Sequence, residues 1–356
     1  MKKITRFLCI MSLLCALLCG TLSIGASAAS HRSAKDAAAG KNDSTLELIP
    51  GGIPFGVKFT TDGVLIVGFC DIQSGAAACN PAKEAGLKLR DILTHVGDEA
   101  ITSADDLTAK ISASGGAPLS VRYKRGGKSA TAMLTPVLDT ATGSYKTGLF
   151  VRDSGAGIGT VTFLIPKTNE FAGLGHGICD VDTGELMPLH RGNVVDVTIS
   201  GINRGAAGAP GELRGYFGTG RRGTLLGNTS CGVFGIYREL PKGFDMTAYP
   251  VGTRDHIHEG DATILCTLAS NERRSYSVRI SAIDKKATGA KCFSVQVTDP
   301  ALLDQTGGIV QGMSGSPILQ DGKIVGAVTH VLINNPAAGY GIFIENMLDR
   351  MNTVKG

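Results

Sequence analysis

From residue 138 onward the chain is a succession of short apolar and β-branched runs, each cut off by glycine. Thr160 to Ile165, Val194 to Ile202, Thr263 to Leu268, Tyr276 to Ile283 and Phe293 to Val297 are examples. A strand exposes alternate residues to opposite faces, so short alternating runs at regular spacing predict a β-sandwich or barrel rather than a helical core. Glycine accounts for 49 of 356 residues and tryptophan is absent, which fits turn-rich β structure. At 43% hydrophobic and 19% charged the chain is globular, with room for two or three domains. A terminal helix is expected to start near Met347 and take in Met351.

Within this region one turn has the form that nucleophilic chemistry needs. Residues 307–318 read Gly-Gly-Ile-Val-Gln-Gly-Met-Ser-Gly-Ser-Pro-Ile, and the apolar run Ile324 to Val331 follows. A serine nucleophile must stand clear of the backbone, with N–H groups aimed at the developing oxyanion; flanking glycines allow the required φ values and close approach of substrate. The other reading is a Gly/Ser/Pro turn between two strands. Ser314 needs an adjacent base. Among His31, His95, His176, His190, His256, His258 and His330, the candidate is His176, which lies between glycines in Phe171-Ala-Gly-Leu-Gly-His-Gly-Ile178. His256 and His258 alternate around Ile257; on a strand they would share a face, but no third ligand is spaced to complete a metal site, and no metal is expected. Ser316 is the rival hydroxyl. It stands before Pro317, which favours extended backbone, and is assigned a structural part.

Residues 47–137 form a separate block of strands with two short helices and resemble a PDZ domain, a small α+β module that adds an extended peptide to a sheet edge. Gly51-Gly-Ile-Pro-Phe-Gly-Val-Lys-Phe59 would be the carboxylate-binding loop and its strand, with Pro54, Phe55, Gly56 and Val57 as the peptide-binding loop. These residues depart from the usual Gly-Leu-Gly-Phe. Gly63 to Phe69 is a second strand, Asn80 to Leu93 a short helix and strand, and Ser103 to Ile111 a second helix with Ser103 as N-cap. Leu119 to Leu134 is a hairpin turning at Gly126-Gly127.

The stretch Gly312-Met-Ser-Gly-Ser-Pro317 resembles the G-D-S-G-G-P loop of chymotrypsin-like serine proteases. With Leu174-Gly-His-Gly177, Val297-Thr-Asp-Pro300, Thr329-His-Val331 and Gly339-Tyr-Gly341, it resembles the stage IV sporulation protein B peptidases of endospore-forming bacteria. The resemblance implies a mainly β protein, an N-terminal PDZ domain followed by a chymotrypsin-like double β-barrel with the site between the barrels. It implies a catalytic triad of His176, Asp299 and Ser314, backbone N–H groups of Gly312 and Ser314 as oxyanion hole, and no cofactor. Asp299 comes 15 residues before Ser314, later than is usual for this fold; Asp245, Asp255 and Asp261 lie in the usual interval and stay open as alternatives. Met313 replaces an aspartate that can pair with a newly freed N-terminus, so activation through that ion pair is excluded. By the same resemblance His330 lies on the substrate side, against the reading of a satisfied core histidine, and Gly308 at the base of the specificity pocket.

Residues 1–29 read as a targeting segment: Lys2, Lys3 and Arg6, then uncharged Phe7 to Ile24, then Ala26-Ser-Ala28 as a cleavage site. The 18-residue apolar run is also long enough to span a bilayer if retained, so the segment is a signal peptide or a membrane anchor. Residues 30–46 are a polar linker, and 138–356 the peptidase domain. Without the three basic residues of the leader the formal charge falls from +4 to +1, so nucleic-acid binding has no support. Six cysteines remain beyond it, with no Cys-x-x-Cys pair; Cys70 and Cys79 are the pair to examine for a disulfide. The expectation is an exported or membrane-anchored serine endopeptidase. By resemblance it acts in the forespore intermembrane space, cleaving itself and a membrane-bound protease regulator during sporulation and so permitting late sigma-factor processing, with a peptide ligand at the PDZ domain. The competing class is a PDZ adaptor with an inert barrel. A cysteine nucleophile at Cys231 or Cys179 lacks the Gly-x-Cys-Gly turn.

Overall fold

The computed structural model describes residues 46–270 and 272–355; the expected targeting segment and almost all of the linker lie outside them. Two six-stranded antiparallel barrels account for most of the chain. The first closes through Pro54–Phe69, Leu149–Leu164, Glu170–Gly173, Gly232–Tyr237, Glu212–Thr229 and Leu189–Asn203, which returns to Pro54–Phe69. The second closes through Gly260–Thr267, Arg273–Ser281, Phe293–Val297, Asn335–Phe343, Lys323–Leu332 and Pro317–Gln320. The mainly β, double-barrel expectation therefore holds, and each of the five strands named from the sequence overlaps an observed one.

Strand alternation explains the cores. In the first barrel Phe55, Val57 and Phe59 point inward while Lys58 and Thr60 are exposed, the two-residue period of a half-buried strand. Phe55 meets Phe171 edge-on at 5.5 Å, and Phe171 meets Tyr237 at 4.6 Å. Ile264, Val278, Ile280, Val295, Ile318 and Val328 fill the second barrel. The terminal helix Ile344–Lys355 begins three residues before the expected start and buries Met347 and Met351 against it.

The PDZ lobe is placed differently from the reading of 47–137 as a free-standing block. Glu47–Pro50 pairs with Phe163 and Leu164 and with Tyr249 and Pro250. The long strand Pro54–Phe69 serves two sheets. Its first half pairs with Ser154 to Thr160 and with Leu189 to Asp196 in the barrel; its second half pairs with Ile92–Val96 and with Leu149 to Arg152 in the lobe. The changeover falls at Gly63, whose φ is +84° and where a Cβ would lie 2.3 Å from the Leu93 carbonyl oxygen. The lobe is thus inserted between two barrel strands that both run through into it. The sequence predicts one strand ending at Phe59 and another starting at Gly63, both in the lobe, whereas the first is paired within the barrel.

The consequence for the expected peptide-binding loop is a correction. Pro54, Phe55, Gly56 and Val57 are buried barrel residues, with Phe55 1% and Val57 2% exposed. Gly56 lies under the Phe217 ring. They present no free sheet edge: Phe55, Gly56 and Val57 are paired on both sides and Pro54 on one.

The rest of the lobe follows its sequence signals. Ser103 Oγ accepts from Asp106 N–H at 3.0 Å and caps the helix Ala104–Ala113. Leu119–Arg125 and Lys128–Leu134 form a hairpin through Gly126 and Gly127, both at positive φ. All six described cysteines are free, Cys70 and Cys79 included.

Because the first barrel takes strands from before residue 61, a 138–356 fragment is expected to show no cooperative thermal transition by circular dichroism. A chain whose residues 61–153 are replaced by a two-residue Asn-Gly turn, closing Thr60 against Ser154 in their native register, is expected to melt cooperatively. A cooperative melt from the 138–356 fragment would contradict the insertion.

Candidate active site

The serine turn is built from the end of a helix. Pro300–Thr306 stops at Gly307, a left-handed C-cap. Ile309 and Val310 then enter the core, and Gly308 presses against the backbone of Pro336. Gly312 and Gly315, at φ +97° and +95°, frame Ser314. Within the second barrel, Gly315 N–H donates to Val328 O (2.7 Å) and Ser316 N–H to Met313 O (2.9 Å). Ser316 is fully buried with its hydroxyl on Met313 O, a turn-closing role as expected. Met313 is itself fully buried.

The first barrel holds the same turn from the other side. Thr160 Oγ1 donates to Gly312 O (2.8 Å), Thr160 N–H to Ser314 O (3.0 Å) and Thr162 Oγ1 to Gly315 O (2.8 Å). A Cβ on Gly315 would stand 2.0 Å from Thr160 O and 2.5 Å from Leu174 N, so only glycine lets the two barrels meet here. The carbonyls of the turn are consumed. The N–H groups of Gly312 and Ser314 donate to no protein acceptor among the described residues.

His176 arrives on the loop after Glu170–Gly173. Leu174 and Gly175 both have positive φ, and Gly175 packs on Thr329 and Ile342 of the second barrel. Nδ1–H of His176 donates to Gly177 O at 2.9 Å, since a carbonyl can only accept, and this leaves Nε2 unprotonated. Burial holds the imidazole below its ordinary pKa, against the opposing pull of that hydrogen bond. The His176 and His330 rings lie 4.9 Å apart at 39°. Ser314 Oγ donates to Thr329 O at 2.7 Å, the carbonyl just before His330. Serine, His176 and the Thr329–His330 stretch therefore converge, with the hydroxyl resting on a carbonyl rather than on the imidazole.

Asp299 is not brought to His176. Its Oδ1 accepts from the N–H groups of Ala301 and Leu302, both at 3.0 Å, and Oδ2 from Ser277 N–H at 3.2 Å. It is the N-cap of Pro300–Thr306. An Asp-Pro pair ahead of a short helix is a cap signal, and here that local use occupies the carboxylate. The alternatives are placed elsewhere too: Asp245 pairs with Arg273, Asp255 with Lys285 and Asp261 with Arg279. The expected triad is present as a serine and a histidine whose Nδ1–H is held by a backbone carbonyl.

His330 was open between a core and a substrate-side place. It is half-buried, its Nδ1 is buried without a partner, and burial, His176 and Lys291 hold its pKa down to about 4. It is not a satisfied core histidine. His256 and His258 lie on a turn rather than a strand; the first accepts from Thr253 N–H and the second pairs with Asp321. Cys231 is buried, and burial and Glu185 raise the Cys179 pKa, which disfavours the thiolate a cysteine nucleophile needs. Among the described residues no group of His, Cys, Asp and Glu is placed to hold a metal, and no helix is long and apolar enough to cross a membrane.

The chain is 39% identical over 92 residues to the serine protease Do-like HtrA of Lactococcus lactis subsp. cremoris (strain MG1363), a match covering 26% of this chain and 19% of that protein. The chain thus spans about a fifth of the length of the curated relative it matches. Among solved structures, the HtrA-type protease AlgW with decapeptide is 14% identical and covers 58% of this chain and 54% of that one, with a TM-score of 0.34. The Rv3671c protease from M. tuberculosis in its active form is 11% identical, covering 56% and 74%, with a TM-score of 0.31. The PDZ domain of the SdrC-like protein from Listeria monocytogenes is 23% identical, covering 25% and 87%, with a TM-score of 0.21. A PDZ domain model matches residues 55–135, and the model of the SpoIVB peptidase S55 family matches residues 143–348, which include both His176 and Ser314. More than half of the chain lies within that second match, and the protein belongs to the SpoIVB peptidase S55 family of serine peptidases.

Proposed function

We propose that the protein is a serine endopeptidase in which Ser314 is the nucleophile and His176 the general base. The observation that carries this reading is the glycine-framed serine turn. Its carbonyls are all tied down and two of its N–H groups are free, beside an imidazole whose basic nitrogen is unprotonated. Rotation about χ1 would release Ser314 Oγ from Thr329 O and turn it toward His176 Nε2. Attack on a peptide carbonyl would place the oxyanion on the N–H groups of Gly312 and Ser314. His176 would pass the proton to the leaving amine and then activate water against the acyl-enzyme. The Gly177 carbonyl takes the orienting part that a carboxylate has in a triad. It fixes the tautomer but brings no full charge to the imidazolium, so it stabilises that ion less.

Family membership supports the finer reading. The substrates would be the chain itself and a membrane-bound regulator of a signalling protease. The place would be the forespore intermembrane space, reached through the N-terminal segment, and the outcome late sigma-factor processing. The PDZ lobe would present or restrain substrate. One observation favours the other class, an adaptor with an inert barrel: Ser314 rests on Thr329 O, and among the described residues His176 has no carboxylate partner.

A fluorophosphonate separates the two. Stoichiometric labelling of the wild type, lost in Ser314→Ala and in His176→Ala at unchanged melting temperature, is the expected result. A folded wild type that does not label would establish the inert class.

Asp299→Asn keeps the Oδ1 cap and loses the acceptor for Ser277. The expected cost is about 1 kcal/mol or less in stability, with kcat per titrated site unchanged. A loss near 10⁴-fold, typical of a triad acid, would restore Asp299 to the catalytic centre.

Because the base must be neutral and burial lowers its pKa, kcat/KM should hold as pH falls through 6.5 and decline only below it. An acid limb above pH 6.5 would contradict the buried base.

A further inference from the structure

A row of three side chains leads away from His176, and the reaction outlined above uses none of them. The first is His330, whose ring lies 4.9 Å from that of His176. Directly opposite it on the neighbouring strand is Tyr340. Residues so paired share a face, with Cβ atoms about 4.5–5.5 Å apart. Lys291 completes the row, its Nζ 5.1 Å from the Tyr340 ring centroid.

Two features of the row ask for a partner from outside. Lys291 has no carboxylate partner among the described residues, whereas Arg254, Arg273, Arg279 and Lys285 of the same region each have one. His330 Nδ1 is buried with no hydrogen-bond partner, and an unmet polar atom in a protein interior is costly. The charged or titratable groups that act on His330 are His176 and Lys291, both basic. A cation held over an aromatic ring gains about 0.5–1 kcal/mol at an exposed site, which leaves most of its charge free for a ligand.

We propose that His330, Tyr340 and Lys291 form a subsite for an acidic side chain of the peptide substrate. The inference rests on Ser314 and His176 being the catalytic pair. The carboxylate would accept from Lys291 Nζ and from Nε2–H of His330, the ring nitrogen that is not buried, charge-assisted contacts on the carboxylate side that a neutral side chain cannot match. A basic side chain at the same place would be repelled. The three steps, ring to ring, Cβ to Cβ and ring to ammonium, are each about 5 Å, so Lys291 lies on the order of 15 Å from His176. At about 3.3 Å per extended residue, the acidic position falls within roughly four residues of the scissile bond.

The test uses the full-length protein: one aliquot is titrated with fluorophosphonate to count active sites, and an unlabelled aliquot is incubated with a mixture of random decapeptides whose cleavage products are sequenced by mass spectrometry. Asp and Glu should be enriched at one position within four residues of the cut. A matched peptide pair should then show kcat/KM about tenfold higher for Glu than for Gln there. Lys291→Glu should favour Lys at that position, and Lys291→Met should lose the preference without reversing it, each rate being taken per titrated active site. Cleavage without acidic enrichment, or an acidic preference that survives Lys291→Glu, overturns the subsite and leaves the peptidase assignment standing. A wild type that neither labels nor cuts any peptide overturns both.

Discussion

Two threonines of the first barrel hold the serine turn of the second. The hydroxyls of Thr160 and Thr162 and the N–H of Thr160 satisfy the carbonyls of Gly312, Ser314 and Gly315. Buried carbonyls left without a donor would each cost on the order of 1–3 kcal/mol, so the turn has a strong reason to stay where those donors are. With its carbonyls directed into the seam, the turn leaves the N–H groups of Gly312 and Ser314 without a protein acceptor among the described residues, for the proposed oxyanion site. The barrels can approach this closely because Gly315 has no side chain to meet Thr160 and Leu174.

The strand that supplies these threonines also enters the PDZ lobe. Its first residues, Leu149 to Arg152, pair with Phe69 to Leu65, and its last ones reach the serine turn. The lobe and the site are therefore joined by one continuous strand rather than by a flexible linker. A second such strand, Pro54–Phe69, lies beside it. The lobe is thus continuous along the chain with the donors that hold the serine turn.

Much of this was legible in the residues, and what was not has a physical cause. The strands, the glycine-framed serine, the glycine-framed histidine and the Ser103 cap follow from local signals, because alternation, φ > 0 and capping are properties of a few neighbouring residues. The lobe boundary was not legible: the alternating stretch Phe55 to Thr61 and the apolar run Gly63 to Phe69 lie on one unbroken strand, and only the change of partners at Gly63 marks the boundary. Asp299 illustrates a different limit. An Asp before Pro can cap a helix or face a histidine, and only the path of the helix decides between them. Thr160 and Thr162 carried no signal at all, since threonine is ordinary in a strand and their acceptors lie about 150 residues away in sequence.

The dependence of the site on the first barrel can be measured through one hydroxyl. Thr160→Val keeps the strand, its β-branched shape and the N–H bond to Ser314 O, and removes only the donor to Gly312 O. The measurement is the second-order rate of fluorophosphonate labelling at Ser314, made beside a thermal melt of the same sample. The expected result is a rate lower by about tenfold or more, corresponding to at least ~1.4 kcal/mol in the barrier, from a protein that still melts cooperatively. Labelling at the wild-type rate by folded Thr160→Val would contradict the claim that this seam sets the geometry of the catalytic turn.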